Sequence, residues 1–320
     1  MLFYSYMERI SLGMLNGADL TYELHRASSE NISGLIQISH GMAEHTGRYS
    51  EFIHHFNDHG FHVAISDHRG HGSRIVDHKV GYFNDPGAAD GWSCVVDDLI
   101  AVSKSVASQC KEEGIKHILL GHSMGSWIAL AAMQKNAIDQ SSSIHLSAAL
   151  ISGSSQPDFF QTALQKTLIK AELLRLGHDG YSDVIHKAIF GGFNSSIALP
   201  TTPNDWLSRD AESVENYTND PLCGFVVTNQ LWDEVSKGVT QVFSANALSQ
   251  LRTDLPMLVF SGSKDPVGGM GKGTTKLHQT LLSQGCNSEL LLVNEARHET
   301  LNETDKLKTY DYIIKFIKKN

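Results

Sequence analysis

Short apolar segments alternate with amphipathic segments along much of the chain, and this order restricts the fold more than any other feature. Apolar runs typical of buried strands lie at residues 33–39, 61–66, 118–120 and 144–151, with helical patterns between them. Strands that alternate with helices build a mainly parallel sheet with helices on both faces. The alternation returns after residue 257, so the sequence predicts an α/β fold with a doubly wound sheet.

The most regular helical pattern covers residues 92–110 and ends before Gly114. Its apolar residues recur at steps of three and four, which places them on one helix face: Trp92, Val95, Val96, Leu99, Val102, Val106 and Cys110. A different pattern occupies the N-terminus, where segments 3–10 and 20–25 flank Asn16-Gly17, a dipeptide that favours hairpin turns. We therefore expect an antiparallel hairpin ahead of the parallel strands.

Residues 155–250 interrupt the alternation with four of the seven prolines and no strong strand pattern. The helical stretches of this segment are 159–176, 183–190 and 231–249. We interpret the segment as a helical cap inserted between two strands of the sheet. The predicted domains are an α/β core formed by residues 1–154 and 251–320, and an inserted cap at 155–250.

Charge and cysteine usage restrict the partners and the compartment. The chain has 35 acidic and 26 basic residues, and no basic stripe, so we expect no binding to nucleic acid. The four cysteines are far apart and are predicted to be reduced thiols. We find no secretory signal and no run near the ~18 apolar residues that span a bilayer. The expectation is a cytoplasmic protein, with peripheral contact at the inner face of the membrane left open.

A Gly-x-Ser-x-Gly pattern at residues 121–125 is the central chemical signal. It follows a short apolar strand and begins an apolar helix. In that context the small residues allow a sharp turn that exposes the hydroxyl of Ser123. The alternative is an ordinary Gly/Ser turn, which the strand and helix on either side make a poor explanation. We therefore predict that Ser123 is a nucleophile.

A serine hydroxyl needs a base, and the base needs an orienting carboxylate. His298 follows the last predicted strand, and Asp265 follows the strand before it, so both belong to the edge of the sheet where active sites form. The alternatives are a surface histidine, one of 17 in the chain, and a turn-forming Asp-Pro pair. We predict His298 as the base and Asp265 as the carboxylate, in the chain order Ser, Asp, His.

A tetrahedral intermediate also needs hydrogen-bond donors for its oxyanion. We expect one donor to be the backbone N–H of Met124, which follows the nucleophile at a helix N-terminus. The second donor is assigned to the backbone N–H of Met42, in the loop after the strand at 33–39, where Gly41 permits close approach of the substrate. The alternative for this loop is a simple strand-to-helix connection.

The remaining polar motifs are interpreted as structural. Residues 67–72 (DHRGHG) are predicted to form a turn, and Glu44 is predicted to hold the oxyanion loop in place. His71 shares no ligand spacing with a second histidine or carboxylate, so we expect no metal site. No organic cofactor is expected either. The cap aromatics are first of all the core of the cap, although some could line an acyl pocket.

These motifs together resemble the monoacylglycerol lipase and lysophospholipase group of α/β-hydrolases, over nearly the whole chain. The blocks that carry the resemblance are HGMAEHTGRY at 40–49, DHRGHGS at 67–73, the serine motif at 121–125, GSKDPV at 262–267 and ARHE at 296–299. The resemblance implies the α/β-hydrolase fold, a triad of Ser123, Asp265 and His298, and oxyanion donors at Met42 and Met124. One departure is Ala43, where many members have glycine.

The expected function is that of a serine hydrolase that cleaves the carboxylic ester of a single-acyl lipid, a monoacylglycerol or a lysophospholipid, through an acyl-enzyme on Ser123. Its expected partner is a small lipid ester, and contact between the cap and the membrane surface is left open. An aminopeptidase, an acyltransferase or a general carboxylesterase on the same scaffold is the first alternative, because a fold does not fix a function. A non-catalytic ligand-binding protein is the alternative from another class.

Overall fold

The computed structural model describes residues 6–29, 31–83, 90–138 and 144–320. In this part of the chain an eight-stranded sheet has the strand order β1-β2-β4-β3-β5-β6-β7-β8. The strands are β1 Tyr6–Leu15, β2 Ala18–Arg26, β3 Gly34–Ser39, β4 Phe61–Ile65, β5 Lys116–His122, β6 Ala148–Ser152, β7 Met257–Gly262 and β8 Ser288–Val293. The predicted α/β fold is therefore confirmed.

The first two strands form the predicted antiparallel hairpin, and β2 pairs antiparallel with β4. All other neighbouring strands are parallel. Asn16 and Gly17 at the turn have φ values of 46° and 79°, the left-handed conformation that a tight hairpin turn requires. The first strand is longer than predicted and continues to Leu15, while residues 3–5 of the prediction lie outside the described residues.

Ten α-helices surround the sheet in the described chain. They are α1 Ser50–Asp58, α2 Gly91–Glu113, α3 Met124–Ile138, α4 Phe159–Leu176, α5 Asp183–Asn194, α6 Ala211–Asn219, α7 Asn229–Val242, α8 Ala245–Leu248, α9 Lys272–Ser283 and α10 Lys306–Lys319. The longest, α2, begins after Asp90, whose side chain accepts a hydrogen bond from the N–H of Trp92, and ends at Gly114 with φ 67°. None of the described helices has both the length and the apolar character needed to cross a membrane.

Side chains of the central strands alternate between two apolar cores, one on each face of the sheet. Along β5, Ile118 and Leu120 pack with aromatic residues of α1 and α10, including Phe56 and Tyr310. Leu119 between them belongs to the core on the opposite face, which α2, α3 and α7 cover. This two-sided burial explains why the central strands are almost continuously apolar in sequence.

Helices α4 to α8 lie between β6 and β7, in the segment predicted as a cap. We use the name cap segment for residues 155–250. The predicted helical stretch at 231–249 is divided into two helices, α7 and α8, by a turn in which the hydroxyl of Ser244 accepts a hydrogen bond from the N–H of Ala247. The helix α6 was not predicted, since it is short and largely polar. The division into a core and a separate cap stays a prediction.

Candidate active site

Ser123 lies on a sharp turn between β5 and α3, with φ 51°. A left-handed conformation is costly for a residue with a side chain, by roughly 1–2 kcal/mol, and here the neighbouring glycines allow it. A Cβ on Gly121 would lie 2.6 Å from the carbonyl oxygen of Gly125. A Cβ on Gly125 would collide with the carbonyls of Ser39 and His40 at the end of β3. Both positions therefore need glycine because backbone segments meet there.

His298 and Asp265, predicted as base and carboxylate, are in direct contact. The Nδ1 of His298 is 3.1 Å from each carboxylate oxygen of Asp265. The carboxylate also accepts hydrogen bonds from the hydroxyl of Ser261 (2.6 Å) and the N–H of Val267 (2.8 Å). Both groups are buried. These bonds fix the carboxylate, and because the Nδ1 of His298 faces Asp265, its Nε2 points away from it.

The electrostatics of this pair favour an ion-paired imidazole. Burial would raise the pKa of Asp265, but the charge and hydrogen bond of His298 outweigh burial and hold that pKa below its ordinary value. Burial would lower the pKa of His298, but Asp265 outweighs burial and raises that pKa above its ordinary value. An imidazole held in this way accepts a proton more readily than an isolated buried histidine.

Ser123 and His298 line the same cavity. Within the described residues no hydrogen bond joins the Ser123 hydroxyl to the imidazole, a contact that in many hydrolases tightens only with substrate bound. His122 packs beside His298, with ring centroids 4.9 Å apart. Burial, followed by the charge of His298, lowers the pKa of His122 to about 3, so His122 is neutral there.

The two predicted oxyanion donors belong to residues at this cavity. Met42 follows β3 and Met124 begins α3, and both line the cavity beside Ser123. In the described chain neither backbone N–H donates a hydrogen bond to another residue. Two unpaired amides of this kind next to a serine hydroxyl are suited to a negatively charged oxygen.

The rest of the cavity wall is mostly apolar and comes largely from the cap segment. Its apolar lining residues are Met42, Met124, Trp127, Ile189, Phe190, Phe193, Trp206, Leu207, Trp232 and Val267. The aromatic ring of Trp206 lies against His298, with centroids 5.3 Å apart. A wall of this composition suits a hydrocarbon chain, with few polar groups concentrated at the serine.

A buried charge cluster beside the loop that follows β3, at residues 41–45, was only partly predicted. Glu44 accepts hydrogen bonds from the N–H of Gly41 and from the hydroxyl of Tyr49, as expected for a residue that holds this loop. Arg48 pairs with Glu299 at 2.7 Å. Glu299 directly follows His298 in the sequence. Burial, and then the charge of Glu299, raises the pKa of Glu44 to about 7. Both Arg48 and Glu299 lie in the quoted motifs, but their separation in sequence hides the pairing.

The turn at residues 67–72 has the structural contacts that its sequence suggests. The carboxylate of Asp67 accepts hydrogen bonds from the N–H groups of Thr46 (2.9 Å) and Ser73 (2.8 Å). Arg69 makes a two-pronged ion pair with Asp98, at 2.7 and 2.9 Å. These contacts connect Thr46, the turn and α2, and none of these residues lines the cavity.

Among the described residues, one group combines side chains that could hold a metal ion. His45, Asp220 and Cys223 have ligand atoms within 4.8 Å of one another. The Nε2 of His45 already bonds to Asp220 at 2.9 Å, and its Nδ1 accepts the N–H of Gly47. Burial raises the pKa of the Cys223 thiol, so the thiolate that a metal would need is disfavoured. The donor set is therefore better explained as a hydrogen-bonded contact than as a metal centre.

A mostly parallel sheet with a serine on a strand-to-helix turn, and an aspartate and a histidine after later strands, defines an α/β-hydrolase. The family described as "Serine aminopeptidase, S33" matches residues 30–305. The chain belongs to this family of hydrolases.

Individual relatives agree with this assignment. The chain is 24% identical over 285 residues to a monoglyceride lipase homolog of monkeypox virus, covering 86% of this chain and 84% of the relative. It is 24% identical over 269 residues to a monoacylglycerol lipase of Mycolicibacterium smegmatis, covering 81% and 80%. A thermostable carboxyl esterase from Bacillus coagulans superposes with a TM-score of 0.83 at 26% identity, covering 98% of each chain. The predicted resemblance to monoacylglycerol lipases, and the predicted class of ester hydrolase, are confirmed.

Proposed function

We propose that the protein hydrolyses the carboxylic ester of a single-acyl lipid, a monoacylglycerol or a lysophospholipid, with Ser123 as its nucleophile. The observation that carries this proposal is a mostly apolar cavity lined by both Ser123 and His298, with His298 bonded to the buried carboxylate of Asp265. An acyl chain would occupy the apolar part and place its ester carbonyl beside the hydroxyl. The monoacylglycerol lipases among the relatives support the choice of a lipid ester.

The proposed reaction assigns one role to each group. Asp265 accepts the Nδ1–H of His298, which leaves the Nε2 as the acceptor for the proton of Ser123 when the hydroxyl attacks the carbonyl. The N–H groups of Met42 and Met124 stabilise the oxyanion. His298 then protonates the leaving alcohol, and a water molecule, activated by the same imidazole, releases the fatty acid from Ser123.

Two carboxylates at the cavity bear on the alternative of an aminopeptidase. A substrate ammonium needs an accessible carboxylate, and Glu44 and Glu299 do lie at the cavity. Glu299, however, is neutralised by Arg48 at 2.7 Å, and Glu44 bonds to the backbone of Gly41 and the hydroxyl of Tyr49. The charge of one carboxylate is balanced by Arg48, and the raised pKa of Glu44 disfavours the charged form of the other, so both are weak sites for an ammonium group and the ester is favoured.

We also propose that the cap segment touches the membrane surface to collect its substrate. Leu164, Leu174 and Leu199 of this segment are exposed, at 74%, 90% and 93%. The wild-type protein should sediment together with vesicles of neutral phospholipid. Replacing all three leucines by serine should reduce the fraction of protein that sediments with the vesicles. Equal sedimentation of both proteins would contradict this contact.

A substrate panel tests the proposed function. Monoacylglycerols, lysophospholipids, p-nitrophenyl esters and aminoacyl amides are compared with wild-type protein, Ser123→Ala, and the matched control Ser283→Ala, an exposed serine of α9. We expect hydrolysis of the single-acyl lipids and the p-nitrophenyl esters, loss of that activity in Ser123→Ala, and no change in the control. Cleavage of the aminoacyl amides in preference to the esters would contradict the proposal, as would an active Ser123→Ala variant.

A further inference from the structure

We propose that Tyr217 of the cap segment is a positioning residue that holds the oxyanion loop, residues 41–45, in its working conformation. This inference rests on the proposed function, because it concerns the loop assigned to supply the N–H of Met42. It makes one half of the oxyanion hole dependent on a cap residue. Tyr217 would act through the loop backbone and not on the substrate.

The loop has a strained backbone at the residue after Met42. Ala43 has φ 54°, a conformation that glycine adopts readily and alanine does not. Its side chain is buried, so alanine is tolerated there only if surrounding contacts hold the backbone.

The contacts that hold Ala43 come from the cap segment. Its carbonyl oxygen accepts a hydrogen bond from the hydroxyl of Tyr217 at 3.1 Å and another from the N–H of Gly224 at 2.9 Å. Two donors on one carbonyl fix the peptide plane that follows Ala43. With that plane fixed, the left-handed conformation of Ala43 is maintained, and with it the path of the loop that contains Met42. The N–H of Met42 shares its own peptide plane with the carbonyl of Gly41, which bonds to the Nδ1 of His40 at 2.8 Å.

The surroundings of Tyr217 favour this single hydrogen bond. Its ring is buried, and the guanidinium of Arg48 lies 5.2 Å from the ring centroid. Burial, followed by the nearby Cys223 and Glu299, raises the pKa of Tyr217 well above its ordinary value, so the hydroxyl stays protonated and donates. In the described chain the carbonyl of Ala43 is the only hydrogen-bond partner of this hydroxyl.

A second contact connects the same stretch of cap to the far end of the loop. The Nε2 of His45 bonds to Asp220 at 2.9 Å. Asp220 also accepts the N–H of Leu222 and, through its carbonyl, the N–H of Cys223, which forms the turn that presents Gly224. The cap therefore contacts both sides of Glu44 and holds the oxyanion loop at two points.

The variant Tyr217→Phe isolates the hydroxyl. It keeps the ring that lines the cavity and that lies against Arg48, and it removes only the hydrogen bond to Ala43. We expect kcat to fall about tenfold, less than the 10²–10³-fold loss on deleting an oxyanion donor outright, and KM to stay within about twofold. The matched control is Tyr312→Phe, whose hydroxyl bonds to Glu289 far from the site, and it should leave both constants unchanged.

Two further measurements separate a positioning role from general damage. Rates are expressed per serine titrated with a fluorophosphonate, so poorly folded protein does not lower the apparent kcat. A trifluoromethyl ketone inhibitor, which forms a tetrahedral adduct and uses the oxyanion hole, should bind Tyr217→Phe about tenfold more weakly. Adding Ala43→Gly to Tyr217→Phe should restore at least half of the lost kcat, on a logarithmic scale, because glycine needs no outside support to adopt φ 54°.

The outcomes are distinct from those that test the proposed function. If wild-type protein hydrolyses esters and Tyr217→Phe has normal kcat and normal inhibitor affinity, the inference about Tyr217 is wrong and the proposed function stands. An unchanged kcat with a raised KM would also overturn the inference, because it would make Tyr217 a binding residue. If wild-type protein neither hydrolyses esters nor reacts with the fluorophosphonate, the proposed function itself fails.

Discussion

The carboxyl group of Glu44 allows a quantitative test, because its titration is coupled to folding. Burial and the neighbouring Glu299 raise its pKa from 4.5 to about 7, against the opposing effect of Arg48. Between these pH values the folded chain keeps a proton that the unfolded chain has lost. The stability contributed by this proton is therefore present below pH 4.5 and is lost as the pH rises through about 7.

The variant Glu44→Gln removes the titration while keeping an oxygen that can accept from Gly41 and Tyr49. At about 1.4 kcal/mol per pH unit, the shift from 4.5 to about 7 corresponds to roughly 3 kcal/mol when it is fully expressed. Relative to wild type, Glu44→Gln should therefore gain about 2–3 kcal/mol in free energy of unfolding between pH 5 and pH 8.

Urea unfolding of both proteins at pH 5 and pH 8, followed by tryptophan fluorescence, measures this difference. The control is Glu295→Gln, the same substitution at an exposed glutamate after β8. A gain for Glu44→Gln that is equal at both pH values, or that is larger at pH 5, would refute the reasoning about the buried carboxyl.

Three further predictions concern the reaction and the turn that carries the serine. The variant Asp265→Asn should fold normally and lose about 10³–10⁴-fold in kcat with a p-nitrophenyl ester, because an amide favours the wrong imidazole tautomer; a loss below tenfold would remove Asp265 from the triad. Activity should rise with pH through a midpoint above 6.5, because the neutral imidazole of His298 is the base and its pKa is raised; a rate that is flat from pH 5 to 8 would count against this base. Gly125→Ala should destabilise the protein by about 1–3 kcal/mol or more in thermal unfolding and abolish activity, since its Cβ would meet the carbonyls of Ser39 and His40; an active, equally stable variant would contradict the close packing described.

Local features of the sequence were sufficient for much of the fold. The apolar runs of the central strands and the steps of three and four in α2 depend on burial of short segments, which sequence shows directly. The hairpin followed from Asn16-Gly17 for the same reason, because two consecutive residues with positive φ make the turn. The helix α6 and the junction of α7 and α8 were not predicted, because α6 is short and polar and because the second helix begins at a single capping hydroxyl, that of Ser244.

The contacts that depend on distant residues could not be predicted. The ion pair between Arg48 and Glu299 joins two loops that are 251 residues apart, and periodicity carries no information about such pairing. The same holds for the hydroxyl of Tyr217 on the carbonyl of Ala43, although the unusual alanine in the motif was a visible signal of strain. Ser123 could be predicted from the sequence because its motif is local. The contacts between the surrounding loops are visible only in the structure.

Chemical trapping of the nucleophile is the direct test of whether Ser123 is the reactive serine and His298 its base. Wild-type protein is treated with a fluorophosphonate, and the modified residue is located by peptide mass spectrometry, alongside Ser123→Ala and His298→Ala. We expect one phosphonyl group per chain, on Ser123, none on the Ser123→Ala protein, and much slower modification when His298 is replaced. Modification of another serine, or an unchanged rate without the imidazole, would contradict this assignment.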